Sequence, residues 1–308
     1  MAAKLRVGLI HQGWPAGSYI TTRGLERAFL RRDDIAQVAR VAATKMDELP
    51  HDLDFVFLEG YPGWWGWRKV QRMKCRKYFW WLSTWFGRLD ADGLTKTGFD
   101  HVFGNSPSGV AELAPRKPCT YMPLAFDRDM LRKAAPVDHY RCEVAYVGVS
   151  GHKAGAQHKM ILDPACEHDF HLWGKGWDKT LYRKWHKGLL PAEDIPALYS
   201  TANLVLGMTE RRQAALGMIN NRVFEALGCG AMFIADHFPE LERLCGDRML
   251  YARGAQDIHR AVELSKQGSS PERERARAAQ AWILDEHTYD HRAAHILDIF
   301  QAQGRAQA

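Results

Sequence analysis

The stretch NNRVFEALGCGAMFIADHFPELERL, residues 220–244, places a short apolar helix, ending in Gly-Cys-Gly, directly before a buried strand. Val223, Phe224, Ala226 and Leu227 form a face that can lie on a sheet, whereas Arg222 and Glu225, three positions apart, are neighbours on one helical face. AMFIAD (231–236) is a short, continuous apolar run, the pattern of a strand covered on both sides in a parallel sheet. A helix feeding such a strand is half of a βαβ unit.

Working outward, the same alternation continues in both directions. EVAYVGVS (143–150), FHLWGKGW (170–177), NLVLGMT (203–209) and RMLYA (248–252) read as further strands, with helical patterns at 191–202, 219–228, 254–267 and 271–302. A separate series precedes it: LRVGLI (5–10), LDFVFLEG (53–60), KYFWWLS (77–83), DHVFGNS (100–106) and CTYMPL (119–124), with helices at 21–32 and 106–114. Two open α/β sheets follow, hence two doubly wound domains, 1–135 and 136–308, joined through the polar, Pro136-containing segment 128–141. A chain of 308 residues with 46% apolar content is long enough to bury two cores.

Composition narrows the setting. No run approaches the roughly 20 apolar residues that span a bilayer, and MAAKLRVGLI has too short an apolar stretch for a signal sequence, so a soluble protein is expected. The six cysteines are scattered without a C-x-x-C pair, which fits buried thiols in a reducing cytoplasm and argues against a Cys-ligated metal. The net charge of +6 lies wholly in residues 1–138, where 21 Lys and Arg face 15 Asp and Glu. Such asymmetry favours a polyanionic partner for the first half.

Doubly wound sheets bind ligands beyond the carboxyl ends of their strands. There, the N-terminus of the 219–228 helix favours an anion, Arg222 adds a fixed cation with Asn221 beside it, and Glu225 can accept two hydrogen bonds from a sugar diol. Together they would hold a nucleoside diphosphate and its ribose; the plainer alternative is a surface ion pair. The loop SGHKAGAQHK after the strand at 143–150 supplies Gly151, Lys153 and Lys159 for a diphosphate, with Lys175 in WGKGW as a further candidate.

The quoted stretch, together with DRMLYARGAQDIHRAVEL and DEHTYDHRAAHIL downstream and FHLWGKGW and GLLPAEDIPALYSTANLVLGM upstream, resembles the C-terminal half of GT-B glycosyltransferases. It is most similar to the group resembling spore-maturation protein CgeB, over roughly residues 143–297; the first half joins mainly through FDHVFGNSPSGVAELAPRKPCTYMPLAFD. The resemblance implies two Rossmann-like domains facing across a cleft. The C-terminal one would hold a nucleoside-diphosphate sugar, with Glu225 on the donor ribose, and the N-terminal one the acceptor. Many retaining members carry E-x7-E, and Gly217 occupies the first of those positions here, leaving retention or inversion open. A glycine there would let backbone amides approach a phosphate or sugar.

In the first half, His11 closes the first strand and opens HQGWPAGSYITTRG. It would serve as the base that deprotonates an acceptor hydroxyl, or as a capping or positioning group, with Gly13 permitting close approach. Asp90-Ala91-Asp92 has the D-x-D pattern of metal-dependent GT-A enzymes, but the second βαβ series argues for the other fold, and neither metal nor cofactor is expected beyond the sugar nucleotide as co-substrate. Residues 64–88 carry seven Lys and Arg and no acid, interleaved with aromatics. WWGW reads as a loop at a strand's carboxyl end, so Trp64, Trp65, Trp67, Arg68, Lys69 and Arg72 are the acceptor-binding set, for a polyanion such as hydroxymethylated DNA. A surface polysaccharide, lipid-linked sugar or protein acceptor, and a non-catalytic nucleic-acid-binding module on the same fold, are the competing readings.

Overall fold

The computed structural model describes residues 3–12, 16–60, 63–82, 91–150, 155–268 and 270–305. They form two compact units: Met1–Ala125 with Leu216–Met218 and Tyr289–Ala308, and Phe126–Ala215 with Ile219–Thr288.

The first unit is built from β1 (Leu5–His11), α1 (Ala16–Leu30), β2 (Ile35–Ala42), β3 (Phe55–Glu59), α2 (Gly63–Arg72), β4 (Arg76–Trp81), α3 (Ala91–Thr95), β5 (His101–Gly104), α4 (Pro107–Leu113) and β6 (Cys119–Tyr121). Its sheet runs β2-β1-β3-β4-β5-β6, all parallel. Strand β2 is absent from the expected set because IAQVARVA lies at the sheet edge with only Ile35 buried, so it lacks the apolar run that marks an interior strand. In the centre, Phe55, Phe57, Tyr78, Phe79, Trp80 and Phe103 are all buried, and Trp80 Nε1 donates to the Met122 carbonyl at 3.0 Å. The whole of YFWW is therefore core.

The second unit holds β7 (Val144–Val147), α5 (Gly155–Ala165), β8 (Phe170–Trp173), α6 (Ile195–Thr201), β9 (Leu204–Gly207), α7 (Arg211–Ala215), α8 (Asn221–Gly228), β10 (Phe233–Asp236), α9 (Pro239–Cys245), β11 (Leu250–Ala252), α10 (Ala255–Ser265) and α11 (Pro271–Glu286). Its sheet is β11-β10-β9-β7-β8, again parallel throughout. Gly-Cys-Gly after α8 now has a physical reason. A side chain at Gly228 would collide with the Phe126 ring, and Gly230 adopts φ 74°, a left-handed turn that sends the chain into β10.

One expected helix is two. The 271–302 pattern breaks at His287, whose φ of −128° and ψ of 36° are not helical, and resumes as α12 (Tyr289–Arg305). α12 packs into the first unit: the Tyr289 ring fills the space above Gly24 on α1, Phe300 meets Phe55 at 5.3 Å, and the Tyr78 hydroxyl donates to Gln303 at 2.9 Å. The buried Arg292 donates to the carbonyls of Pro123 and Leu124 at 2.8 and 2.9 Å. The expected boundaries, 1–135 and 136–308, are thus corrected: the chain enters the second unit at Phe126 and returns to the first for its last helix, whose apolar face is consumed there. All six cysteines are free thiols. No helix among the described residues is long and apolar enough to cross a membrane.

Candidate active site

In the second sheet, β8 and β9 lie on opposite sides of β7, so the loops leaving β7 and β9 diverge and open a crevice at their carboxyl ends. α8 is anchored at that point. Arg222 Nη1 and Asn220 Nδ2 both donate to the carbonyl of Met208, just past β9, at 3.3 and 3.0 Å, and Asn220 also reaches Thr209 Oγ1 at 3.2 Å. The Arg222 guanidinium lies over the Tyr146 ring of β7, 4.9 Å from its centre. The Thr209 amide donates to Asp236 at the end of β10 at 2.8 Å, tying a third strand end to the same place. Two buried acceptors, Asn220 Oδ1 and Asn221 Oδ1, have no hydrogen-bond partner among the described residues.

The electrostatics are uneven. Burial pushes the Glu225 carboxyl up to about 6, Arg222 works against that shift, and Asp127 adds to it. Burial also opposes the charge on Arg222, but Tyr146, Tyr199 and Glu225 outweigh it and raise its pKa. The site therefore holds a permanent cation beside a carboxylate that burial disfavours but leaves mainly ionised at neutral pH, a pairing suited to a phosphate and a hydroxyl-bearing ring.

Around the crevice, glycines set the backbone. The amides of Gly148 and Ser150 donate to the carbonyls of Trp173 and Lys175, both at 3.0 Å, and Trp177 Nε1 donates to the Gly148 carbonyl at 2.7 Å. Gly174, at φ 126°, lies so close to that carbonyl that any Cβ would overlap it. The side chains of Lys175 and Lys159 are exposed. Gly151 and Lys153 lie outside the described residues.

The first sheet has its own reversal of strand order, between β1 and β3. His11 ends β1 and is paired in register with Glu59, which ends β3; both are buried, at 8% and 3% exposure. Burial lowers the His11 pKa, Arg40 lowers it further, and Glu26, ion-paired to Arg40 at 2.7 Å, partly offsets this. The imidazole is neutral at neutral pH, the form a proton acceptor needs.

Residues 156–298 match the family described as glycosyl transferase-like. That match spans a little under half of the chain, and the fold of the whole is of the GT-B type. Sucrose-phosphate synthase from Thermosynechococcus elongatus shares its fold at a TM-score of 0.68 and 13% identity, over 98% of this chain and 100% of that one. The DNA-modifying enzyme β-glucosyltransferase, solved with and without uridine diphosphoglucose, does so at 0.67 and 13%, over 97% and 99%. AviGT4, a glycosyltransferase of avilamycin A biosynthesis, follows at 0.63 and 15%, over 96% and 97%. At these identities the likeness is one of fold. A search of curated proteins returned no match.

Other expected positions fall differently. Gly217, at φ 68°, lies in the short stretch Leu216–Met218 that counts with the first unit, where the Leu216 carbonyl accepts from Ser106 Oγ at 2.6 Å and Ser108 Oγ at 3.2 Å. WWGW is not a loop: α2 starts at Gly63. Trp67 turns inward, edge-on to Phe99 at 5.1 Å and Phe79 at 6.3 Å, so its expected stacking on an acceptor is corrected to a core role. Gly13 lies outside the described residues, as do the side chains of Trp64 and Trp65. Arg68 and Arg72 are exposed, and Lys69 is paired with Asp47. α2 descends from the carboxyl end of β3 towards the amino end of β4, about 15 Å over its ten residues, so these cations lead away from His11 rather than converging on it. Asp90 lies outside the described residues, Asp92 is paired with Arg116, and no metal-binding cluster occurs among the described residues. Asn220, Tyr146 and Glu59 were not among the expected site residues. An asparagine just before a helix is a signal for a cap, but here its side chain is turned to the end of β9 instead.

Proposed function

We propose that this chain is a glycosyltransferase that uses a nucleoside-diphosphate sugar as donor and transfers its sugar to a hydroxyl on a polyanionic acceptor such as hydroxymethylated DNA. The observation that carries the donor reading is the placement of Arg222 and Glu225 at the strand-order reversal of the second sheet, with Arg222 stacked on Tyr146. Arg222 faces the charge that grows on the departing diphosphate, and Glu225 accepts from the ribose hydroxyls. His11 takes the proton of the attacking hydroxyl as the new bond to the sugar's anomeric carbon forms and the bond to the diphosphate breaks. Support for the donor class comes also from the fold neighbours solved with uridine diphosphoglucose. For the acceptor, the supports are the exposed cations of α2 and the DNA-modifying β-glucosyltransferases among those neighbours.

The test is a thermal-shift panel of nucleoside diphosphates and their sugars, followed by titration of the best ligand. Arg222→Ala and Glu225→Ala should each weaken donor binding by about 1–3 kcal/mol, the cost of losing a charge-assisted hydrogen bond. Unchanged affinity in both folded variants would remove the donor site from α8.

A further inference from the structure

The second half of the chain is neutral in sum, yet its charge is not spread evenly. Residues 175–188, GKGWDKTLYRKWHKG without its first glycine, hold Lys175, Lys179, Arg183, Lys184 and Lys187 against one acid, Asp178. All five cations are exposed, and none pairs with a carboxylate among the described residues. Elsewhere exposed cations can be compensated, as in Arg141 with Asp138 and Arg253 with Glu242.

The backbone that presents them is firmly held. After β8 the segment makes two 3-10 turns, Trp177–Lys179 and Leu181–Lys184, and then runs beside β8 in parallel, with Leu172 donating to Trp185 at 3.0 Å and Lys187 to Leu172 at 2.8 Å. Trp177 is fully buried, and Tyr182, also buried, donates through its hydroxyl to Asp163 of α5 at 2.6 Å. Between these anchors Leu181 stands 89% exposed, flanked by Lys179 and Arg183, at a groove of about 710 Å³ that Lys159 and His158 of α5 also line. A single exposed leucine is ordinary. An apolar side chain held out on a pinned turn in the middle of unpaired cations is a different feature, because it offers contact to an apolar surface flanked by negative charge.

We infer that Lys179, Arg183, Lys184 and Lys187 form a nucleic-acid backbone-binding surface on the second unit, with Leu181 meeting the bases. Phosphates lie at regular intervals along a duplex and are bound by counterion release, which a row of uncompensated cations provides. Proteins that bind the minor groove frequently insert an apolar side chain between base steps beside their cations, a contact an acidic polysaccharide has no use for. This extends the polyanionic-acceptor reading and rests on it for the choice of a nucleic acid; duplex binding itself does not depend on transfer.

The experiment is anisotropy titration of a fluorescein-labelled DNA duplex with the full chain between about 50 and 200 mM salt. Lys179→Ala/Arg183→Ala/Lys184→Ala should lower the magnitude of the log affinity against log salt slope by roughly two to three units, about 0.9 per phosphate contact. Leu181→Ala should weaken binding about fivefold with the slope unchanged, as base contacts do compared with phosphate contacts. All of these side chains are exposed, so thermal midpoints and nucleotide binding should match the wild type. The inference is overturned by absent duplex binding at low salt, by a triple variant with wild-type slope, or by heparin competing equally while Leu181→Ala binds normally, which would mark a carbohydrate polyanion. Loss of slope only in α2 variants would overturn this surface and leave the proposed acceptor standing, whereas failure of every nucleotide to bind would sink the donor reading and leave this surface intact.

Discussion

Glu225 is held at a cost to the fold. Its carboxyl titrates at about 6 in the folded protein, against 4.5 for an ordinary glutamate, so the folded state favours the protonated form. The sign follows from linkage: the penalty is absent below pH 4.5, grows between 4.5 and 6, and is complete above 6. Glu225→Gln, which stays neutral, should therefore stabilise the protein by about 1–2 kcal/mol at pH 8 and by nothing at pH 4.5. Denaturant unfolding of both proteins at the two pH values measures this, and an equal difference at both would show that the carboxyl is not strained. A group kept ionised at such a cost fits a ligand site, since bound hydroxyls would relieve it. At this scale the spacing Arg-x-x-Glu was readable, as was His11 at a strand end. Trp67 was misread because its partners, Phe79 and Phe99, come from β4 and from the approach to β5, and nothing local to WWGW records them.

Among the elements, α2 carries the acceptor question for the first unit. If its exposed side binds a phosphate backbone, replacing Arg68, Lys69 and Arg72 by alanine should reduce the salt slope of duplex binding by nearly one unit per true contact. Lys69 already has a partner in Asp47, so the larger share should come from Arg72, which is exposed. Salt titration of the triple variant beside Lys69→Ala alone checks the division; a slope carried mainly by Lys69 would refute it. Most interior strands were legible because burial on both faces leaves a continuous apolar run, as in FVFLE and LVLG. β2 was not, since an edge strand keeps polar residues on its open side, and its pairing with β1 is a long-range fact. The 271–302 pattern gave helix correctly but hid the break at His287, because the apolar period resumes with little interruption.

For the whole molecule, helix periodicity shows that a face is apolar but not which sheet it will cover, and for that reason the return of α12 to the first unit was not foreseen. Tyr289, Ile296 and Leu297 are buried there and Phe300 packs on Phe55. At about 1.5–3 kcal/mol for each large apolar side chain, their loss rivals the roughly 5–15 kcal/mol that holds a domain folded. A chain ending at Thr288 should thus lose the unfolding transition of its first unit while keeping nucleotide binding, whose proposed residues lie in the second. Calorimetry with and without the best nucleotide reads both; a first unit that melts as in the full chain would show α12 to be dispensable.

The returning helix also fixes an order of events during synthesis. Most of residues 126–288 emerge from the ribosome before α12 does, so the second unit can close while the sheet made first still waits for its cover. A sheet translated before the second unit is thus sealed after it, and until then a surface that includes Gly24 and Phe55 is open to chaperones and to neighbouring nascent chains.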